Sequence, residues 1–270
     1  MKDISPLKSQ IVRDWRYIGP TTNLQEMYFT YGAYQGNGHI LGILTADASW
    51  PQPPGHLGNA STFSYPVHYY KVPGATMVRL RSGDPTLKED VVRLVKQMEI
   101  DGVRAILSTS SYFGYYQKEA AAAVRIPVYL SPLQMIPWAR VGLRSDQKVG
   151  VISFDIDKIS SALLDACNIT QQDRSNHCVF VDGKQMETLA QFADYVPFYH
   201  RSQLRAEILQ LTCTLLDAHP EIGAIVLQET DFSPFAADIQ SVAKCPVFDA
   251  YTLSCYVSNV TAHKPFYGFV

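Results

Sequence analysis

The chain carries a copy of itself. GVRAILSTSSYFGYYQKEAAAAVRIPVYLS from Gly102 lies over EIGAIVLQETDFSPFAADIQSVAKCPVFDAY from Glu221 at a constant offset of 119 residues, with no gap. Ala105 falls on Ala224, Ile106 on Ile225, Phe113 on Phe232, Tyr116 on Phe235, Pro127 on Pro246 and Val128 on Val247. A second offset, of 108 residues, places LGILTAD from Leu41 on VGVISFD from Val149, so that Gly42 meets Gly150, Thr45 meets Ser153 and Asp47 meets Asp155. An internal repeat restricts the fold more than any single motif, because each copy must be the same supersecondary unit and the two must bury their faces together.

The type of unit follows from the pattern. Short β-branched runs alternate with helical periods. Strands are expected at ILGILTAD from Ile40, VHYYKVPG from Val67, RAILST from Arg104, PVYLS from Pro127, KVGVISFD from Lys148, HCVFVD from His177, AIVLQ from Ala224 and PVFDAY from Pro246. Helices are expected over 86–100, 113–124, 160–167, 202–219 and 234–243, with a last one from Thr252. Strand followed by helix, repeated, predicts an α/β protein with parallel sheets, right-handed crossovers and a site at the carboxyl ends of the strands. The expected division is an irregular aromatic arm over 1–39, a first half over 40–146 and a second over 147–249, with 250–270 packing back onto the first.

Composition narrows the function. Of 270 residues, 47% are hydrophobic and 18% charged, with a formal net charge of -2, which argues against disorder and against a basic nucleic-acid surface. No stretch approaches the ~18 apolar residues of a membrane helix, and MKDISPLKSQIVRDWRYIG has no signal-like apolar core. A cytoplasmic location is expected. The five cysteines, Cys167, Cys178, Cys213, Cys245 and Cys255, have no CxxC spacing and are expected to be reduced and buried. The histidines show no HxxxH or HExxH, and neither GxGxxG after a strand nor GxxxxGK[ST] occurs, so neither a metal nor a nucleotide cofactor is expected.

Equivalent strand-to-helix loops in a pseudo-twofold pair can face one another across a cleft and offer N–H groups and hydroxyls to a carboxylate. Here the loops are STSSY (Ser108 to Tyr112) and QETD (Gln228 to Asp231), and the repeat sets Ser110 opposite Glu229. Loop hydroxyls are also ordinary helix caps. Glu229 stands apart, since a carboxylate directly after AIVLQ must cap its helix or work in the site to offset its desolvation.

These segments, with TADASWPQPPGHLGN (Thr45 to Asn59), PGAT (Pro73 to Thr76), STSSYFGYYQ and VLQETDFSPFAADIQ, resemble the aspartate/glutamate racemase superfamily from about Ile40 to the C-terminus. That superfamily includes hydantoin racemase, maleate isomerase, arylmalonate decarboxylase and an algal dimethylsulfoniopropionate lyase. The resemblance implies two pseudo-twofold Rossmann-like (flavodoxin-like) halves with a cleft between them, no cofactor, a small carboxylate-bearing substrate and a homodimer. Its members hold a cysteine at each symmetric loop. The matching positions are Ser110 and Glu229, and neither is cysteine.

This departure redirects the chemistry. A serine hydroxyl needs a partner base, whereas a carboxylate takes a proton directly. Glu229 with Ser110 opposite therefore suits a lyase, decarboxylase or isomerase better than a two-base racemase. By resemblance, Thr45, Thr109, Ser111 and Thr230 would hold a substrate carboxylate; His56, Tyr112 and Gln228 are further expected substrate contacts, as is the strand-end Asp47, for which a helix or turn cap is the alternative. His56 sits in PPGHLGN, where relatives carry an acidic residue, and a solvated loop histidine is the alternative. Two other readings stay open: a racemase with relocated bases such as His56 and Asp47, and a non-catalytic protein that binds a small acid.

Overall fold

The computed structural model describes residues 38–193, 196 and 198–263. The expected arm over 1–39 lies outside these but for Gly38 and His39, as do residues 264–270. Strand β1 (Leu41–Thr45) pairs in parallel with β2 (Val67–Lys71) on one side and β3 (Ala105–Ser108) on the other. In the second sheet β4 (Lys148–Ser153) lies between β5 (Cys178–Asp182) and β6 (Ile222–Leu227), and β7 (Val247–Phe248) adds to β6, all in parallel. Both sheets therefore have parallel strands with crossovers, as the alternating pattern predicts.

The repeat holds down to hydrogen bonds. Gly42 pairs with Ile106 in the first sheet and Gly150 with Ile225 in the second, which satisfies both offsets at once. Ile106 N donates to Pro127 O at 2.9 Å, and Ile225 N donates to Pro246 O at 2.9 Å. Thr109 N donates to Leu44 O and Gln228 N to Ile152 O, again a matched pair. After each of β3 and β6 the chain makes a six-residue 3-10 turn, Ser111–Tyr116 and Thr230–Phe235. Helices α3 (Gln117–Ala123) and α9 (Ala236–Ala243) continue those turns.

The expected strand over PVYLS does not form. Only one bridge, Ile106 to Val128, joins it to β3. Pro127 has no N–H for a ladder, and the Gln117 side chain occupies the partner role: Nε2 donates to Val128 O and Oε1 accepts from Leu130 N, each at 2.9 Å. Ser131 then caps a 3-10 turn, Pro132–Met135, which leads into α4 (Ile136–Val141). The sequence pattern also missed three other short helices: α1 (Met77–Arg81), α6 (Gln171–His177) and α7 (Glu187–Ala193). The α6 segment QQDRSNH has no apolar residue at all, and α1 and α7 are short segments with no sustained apolar period. Helices α2 (Lys88–Ile100), α5 (Ser161–Ala166) and α8 (Arg201–Ala218) fall where they are expected.

One core runs through both halves. Val91, Met98, Phe113 and Leu130 pack in the same buried cluster as Val149, Leu163, Cys167 and Val226. The Tyr115 and Ser160 hydroxyls, from opposite halves, share a 2.7 Å hydrogen bond. A smaller cluster seats Ala250, Leu253 and Val257 of α10 (Ala250–Thr261) against Leu41, Ala105 and Leu107 of the first sheet. Of the five cysteines, all unbridged, only Cys167 and Cys178 are buried; Cys213 is exposed, on α8, and Cys245 and Cys255 are half-buried. The expectation that all five are core residues is corrected accordingly. Among the described residues no helix is long and apolar enough to cross a membrane.

Phe113 and Phe232 are repeat mates, and both are fully buried. Replacing either with alanine should lower the unfolding free energy by about 3–5 kcal/mol, read from urea denaturation.

Candidate active site

The two matched loops meet at the carboxyl ends of β3 and β6. Ser110 and Glu229 each precede their 3-10 turn in extended backbone, at φ -139° and -89°. There they diverge. The Ser110 hydroxyl accepts from Tyr112 N at 3.4 Å and so caps its turn, while the Glu229 carboxylate makes no cap bond. Both side chains border one cleft of about 510 Å3, its mouth included. The first half contributes Trp50, Gln52, His56, Met77, Arg81, Thr109 and Ser110 to its wall, and the second Phe154, Phe192, Glu229 and Asp231.

The loops touch each other reciprocally. Gln228 Nε2 donates to Ser111 Oγ across the divide, and Thr230 Oγ1 donates to Thr109 O at 2.5 Å. Ser111 and Thr230 are repeat mates, and so are Thr109 and Gln228. The two bonds thus join equivalent residue pairs about the pseudo-twofold, but they run in opposite senses and the second ends on a backbone carbonyl. Ser111, Gln228 and Thr230 are almost wholly buried and lie beneath the cleft wall, not in it. Ser111 Oγ donates to Glu229 Oε2 at 3.5 Å, and Ser153 Oγ donates to Gln228 Oε1 at 2.9 Å.

Of the other residues expected to bind substrate, Thr109 borders the cleft, and Tyr112 is buried behind it with Arg81 over its ring at 5.7 Å. Thr45 and Asp47 do not border it. Asp47 accepts from Gly74 N and pairs with Lys71 Nζ, each at 3.0 Å, and these two contacts, the Gly74 bond foremost, hold its carboxyl below the usual range. Its repeat mate Asp155 likewise serves a turn, accepting from Asp157 N. Strand-end carboxylates fit both roles in sequence, and here the anchoring role wins.

His56 is buried, at 1% exposure, so the solvated alternative is excluded. Its Nδ1 accepts from Gly58 N at 2.9 Å, which leaves the proton of the neutral ring on Nε2, facing Thr230 Oγ1 at 3.0 Å. Burial holds this imidazole below its ordinary range, opposed by Asp231, whose Oδ1 is 3.7 Å from Nε2. Trp50 Nε1 donates to the same Asp231 Oδ1 at 2.7 Å. Gly55, at φ +101°, permits close approach, since a Cβ there would sit 2.8 Å from Pro234 Cα. The segment from Trp50 to Asn59 therefore straps the first half onto the turn that follows Glu229.

Arg81, Asp231, Trp50, Phe154 and Phe192 line the cleft, and the sequence reading passed over all five. Arg81 sits on a five-residue helix with no motif around it. Asp231 reads as a first-turn acid, and the aromatics read as core.

The electrostatics centre on Glu229, which is 3% exposed. Burial pushes its carboxyl up to about 7, with Asp231 adding to the rise, while the Arg81 charge, the Tyr112 phenol and the Gln228 side chain pull the other way. Burial also raises Asp231, against the pull of His56 and Trp50. Glu229 Oε1 accepts no hydrogen bond of good geometry. A carboxyl that changes charge near neutrality at a cleft wall is equipped to exchange a proton with a bound molecule. Among the described residues no three His, Cys, Asp or Glu side chains converge as metal ligands would.

Comparison with solved structures decides the fold. An aspartate racemase from Picrophilus torridus superposes with a TM-score of 0.52 at 15% identity, covering 83% of this chain and 94% of that one. A sulfate-associated variant of arylmalonate decarboxylase gives 0.54 at 12%, covering 85% and 98%. The chain has the aspartate/glutamate racemase fold. No protein-family model matches it. In sequence, a dimethylsulfoniopropionate lyase from Durusdinium sp. clade D is 25% identical over 235 residues, which span 84% of this chain and 77% of that protein. Dimethylsulfoniopropionate lyase 5 from Emiliania huxleyi (strain CCMP1516) is 24% identical over 226 residues, 78% of this chain but only 45% of the other. Within the racemase fold, then, its sequence relatives are lyases.

Glu229 links pH to stability. Its carboxyl rises from 4.5 to about 7 on folding, so the folded chain holds a proton that the unfolded chain releases. Stability from this group is complete below pH 4.5, falls as pH rises from there to about 7, and is flat above. Glu229→Gln should remove that fall, which makes the variant relatively more stable at pH 8 than at pH 4 by roughly 3 kcal/mol in urea titrations.

Proposed function

We propose that this protein is a cofactor-independent lyase that removes a proton from the carbon next to a carboxylate and expels a leaving group from the following carbon. Glu229 is the base. The observation that carries this reading is its buried carboxyl, brought to about 7 at the wall of a cleft shared by both halves. A base near neutral pH is substantially ionised in water at pH 7 and holds a proton more firmly than an ordinary carboxylate, which suits abstraction from carbon.

The cleft's lining favours a short zwitterion. Arg81 is the permanent cation among the described lining residues and suits the substrate carboxylate. Trp50, Phe154 and Phe192 offer apolar and π surface, with Asp231 beside Trp50, and these suit a methylated onium group. The named relatives cleave dimethylsulfoniopropionate, a molecule of this class. In such a substrate the Glu229 carboxylate takes the α-proton, the C–H electron pair becomes the new C=C bond, and the β-carbon to sulfur bond breaks. Sulfur leaves with that bond's electrons as neutral dimethyl sulfide, and acrylate remains. Arg81 and the buried hydroxyls would stabilise charge that develops on the carboxylate. A single base is sufficient, because elimination moves one proton from one face.

Incubation with dimethylsulfoniopropionate and a panel of small carboxylates in D2O, followed by proton NMR, tests this. Release of dimethyl sulfide and acrylate should fall by at least about 100-fold in Glu229→Gln. Arg81→Met should raise KM more than it lowers kcat. The rate should climb with pH through about 7 as Glu229 ionises. Undiminished turnover in Glu229→Gln would overturn the assignment, whereas α-deuteration of another acid without elimination would retain the base and replace the substrate.

A further inference from the structure

Ser153 ends β4, is fully buried and takes no part in the cleft wall. It nevertheless begins a line of hydrogen bonds that ends on Glu229. Asp155 N donates into Ser153 Oγ at 3.2 Å, so the hydroxyl's own proton is turned elsewhere, to Gln228 Oε1 at 2.9 Å. With its oxygen so engaged, the Gln228 amide presents Nε2 to Ser111 Oγ and donates there. Ser111 has one proton, and it points to Glu229 Oε2 at 3.5 Å. Each link fixes the direction of the next, because a hydroxyl that accepts on one side has a single proton to give on the other.

The repeat mates of these residues make no such line. Thr45 stands for Ser153, Thr109 for Gln228, Thr230 for Ser111 and Ser110 for Glu229. On that side Thr230 gives its proton to the Thr109 carbonyl and faces the His56 Nε2 proton. Ser110 receives nothing from it. The frame is symmetric and the delivery of protons is one-sided.

We propose that Ser153 and Gln228 are positioning residues that lock the Ser111 proton onto the Glu229 carboxylate and so set where Glu229 titrates. This rests on Glu229 being the base of the proposed reaction. Without Ser153 the amide is free to turn over, and a reversed Oε1 would draw the Ser111 proton away from the carboxylate. The anion would then lose its donor, and proton affinity would rise. The other charged and titratable groups that face Glu229 are Arg81 from α1, Tyr112 from the opposite turn, Asp231 from its own turn and, past Asp231, His56 from the strap. The Ser153 hydroxyl bonds Gln228 and Asp155 N, so a change at Ser153 reaches Glu229 through Gln228, by way of Ser111 and by the amide's own pull on the carboxyl.

The test is the carboxyl titration of Glu229 in the substrate-free protein, followed by difference infrared spectroscopy and assigned by the band lost in Glu229→Gln. Ser153→Ala should move it up by about half to one pH unit, the equivalent of one hydrogen bond. The acid limb of kcat should move with it, with a loss of about threefold to tenfold at pH 6 and KM unchanged within twofold. Ser153→Thr should restore both. Where Ser153→Ala does not fold, Ser153→Cys, which keeps the volume and weakens the donor, should give a smaller shift of the same sign. An unmoved titration in Ser153→Ala, or a lower kcat at every pH with that titration unmoved, would overturn the proposal. Full turnover in Glu229→Gln would instead remove the catalytic base, and the infrared titration would still judge the line by itself.

Discussion

The reciprocal contact between Ser111 and Gln228 and between Thr230 and Thr109 is the constraint on which this molecule turns. It fixes the carboxyl end of β3 against that of β6, and with it the width of the cleft between the halves. The strands behind it cannot slip by a residue without reversing which side chains enter the core. Matched register in both sheets therefore brings Ser110 and Glu229 to the cleft wall together, and the shared core beneath holds the two halves in one orientation. The strap from Trp50 to Asn59 adds to the cleft wall and bonds the turn that follows Glu229.

A buried carboxylate is an expensive group to place, and its surroundings explain why the fold tolerates it. Glu229 is neutral in part at pH 7, so full desolvation of the anion is avoided. When it ionises, Arg81, Tyr112 and the Ser111 line favour the charge. Asp231, two residues along the same turn, opposes it and is itself restrained by Trp50 and His56. The resulting balance lies near neutrality because no single neighbour dominates: a bidentate arginine would have held the group ionised, and an apolar wall would have kept it protonated.

Much of the frame was legible in the sequence. The offsets of 119 and 108 residues locate the ends of β1, β3, β4 and β6, and they place Ser110 opposite Glu229, because a repeat transmits register without any knowledge of packing. Residues brought in by tertiary folding were not legible. Arg81 reaches the cleft from a helix of one and a half turns, and Phe192 from one of two, neither with a sustained apolar period. Asp47 and Asp231 look alike in sequence, each an acid just past a strand, yet Lys71 and Gly74 hold the first away from the cleft while burial against His56 and Trp50 holds the second in its wall. Gln117 is the clearest case: its side chain takes the partner role along 128–130, a substitution that no pattern of apolar residues records.

The difference between Ser110 and Glu229 carries chemical weight because everything around them is so nearly equivalent. A racemase must take a proton from one face of a carbon and return one to the other, which two like groups on a pseudo-twofold do well. Here one position spends its hydroxyl on capping the turn to Tyr112, and its mate keeps a carboxyl uncommitted to any cap. The buried hydroxyls follow the same division, with Ser111 aimed at the carboxyl and Thr230 at a backbone carbonyl. With Glu229 as the proposed base and Ser111 as the proposed end of its proton-directing line, the scaffold suits a reaction in which a proton moves on one face only. Elimination is such a reaction, because the second bond that breaks releases a leaving group and needs no second base.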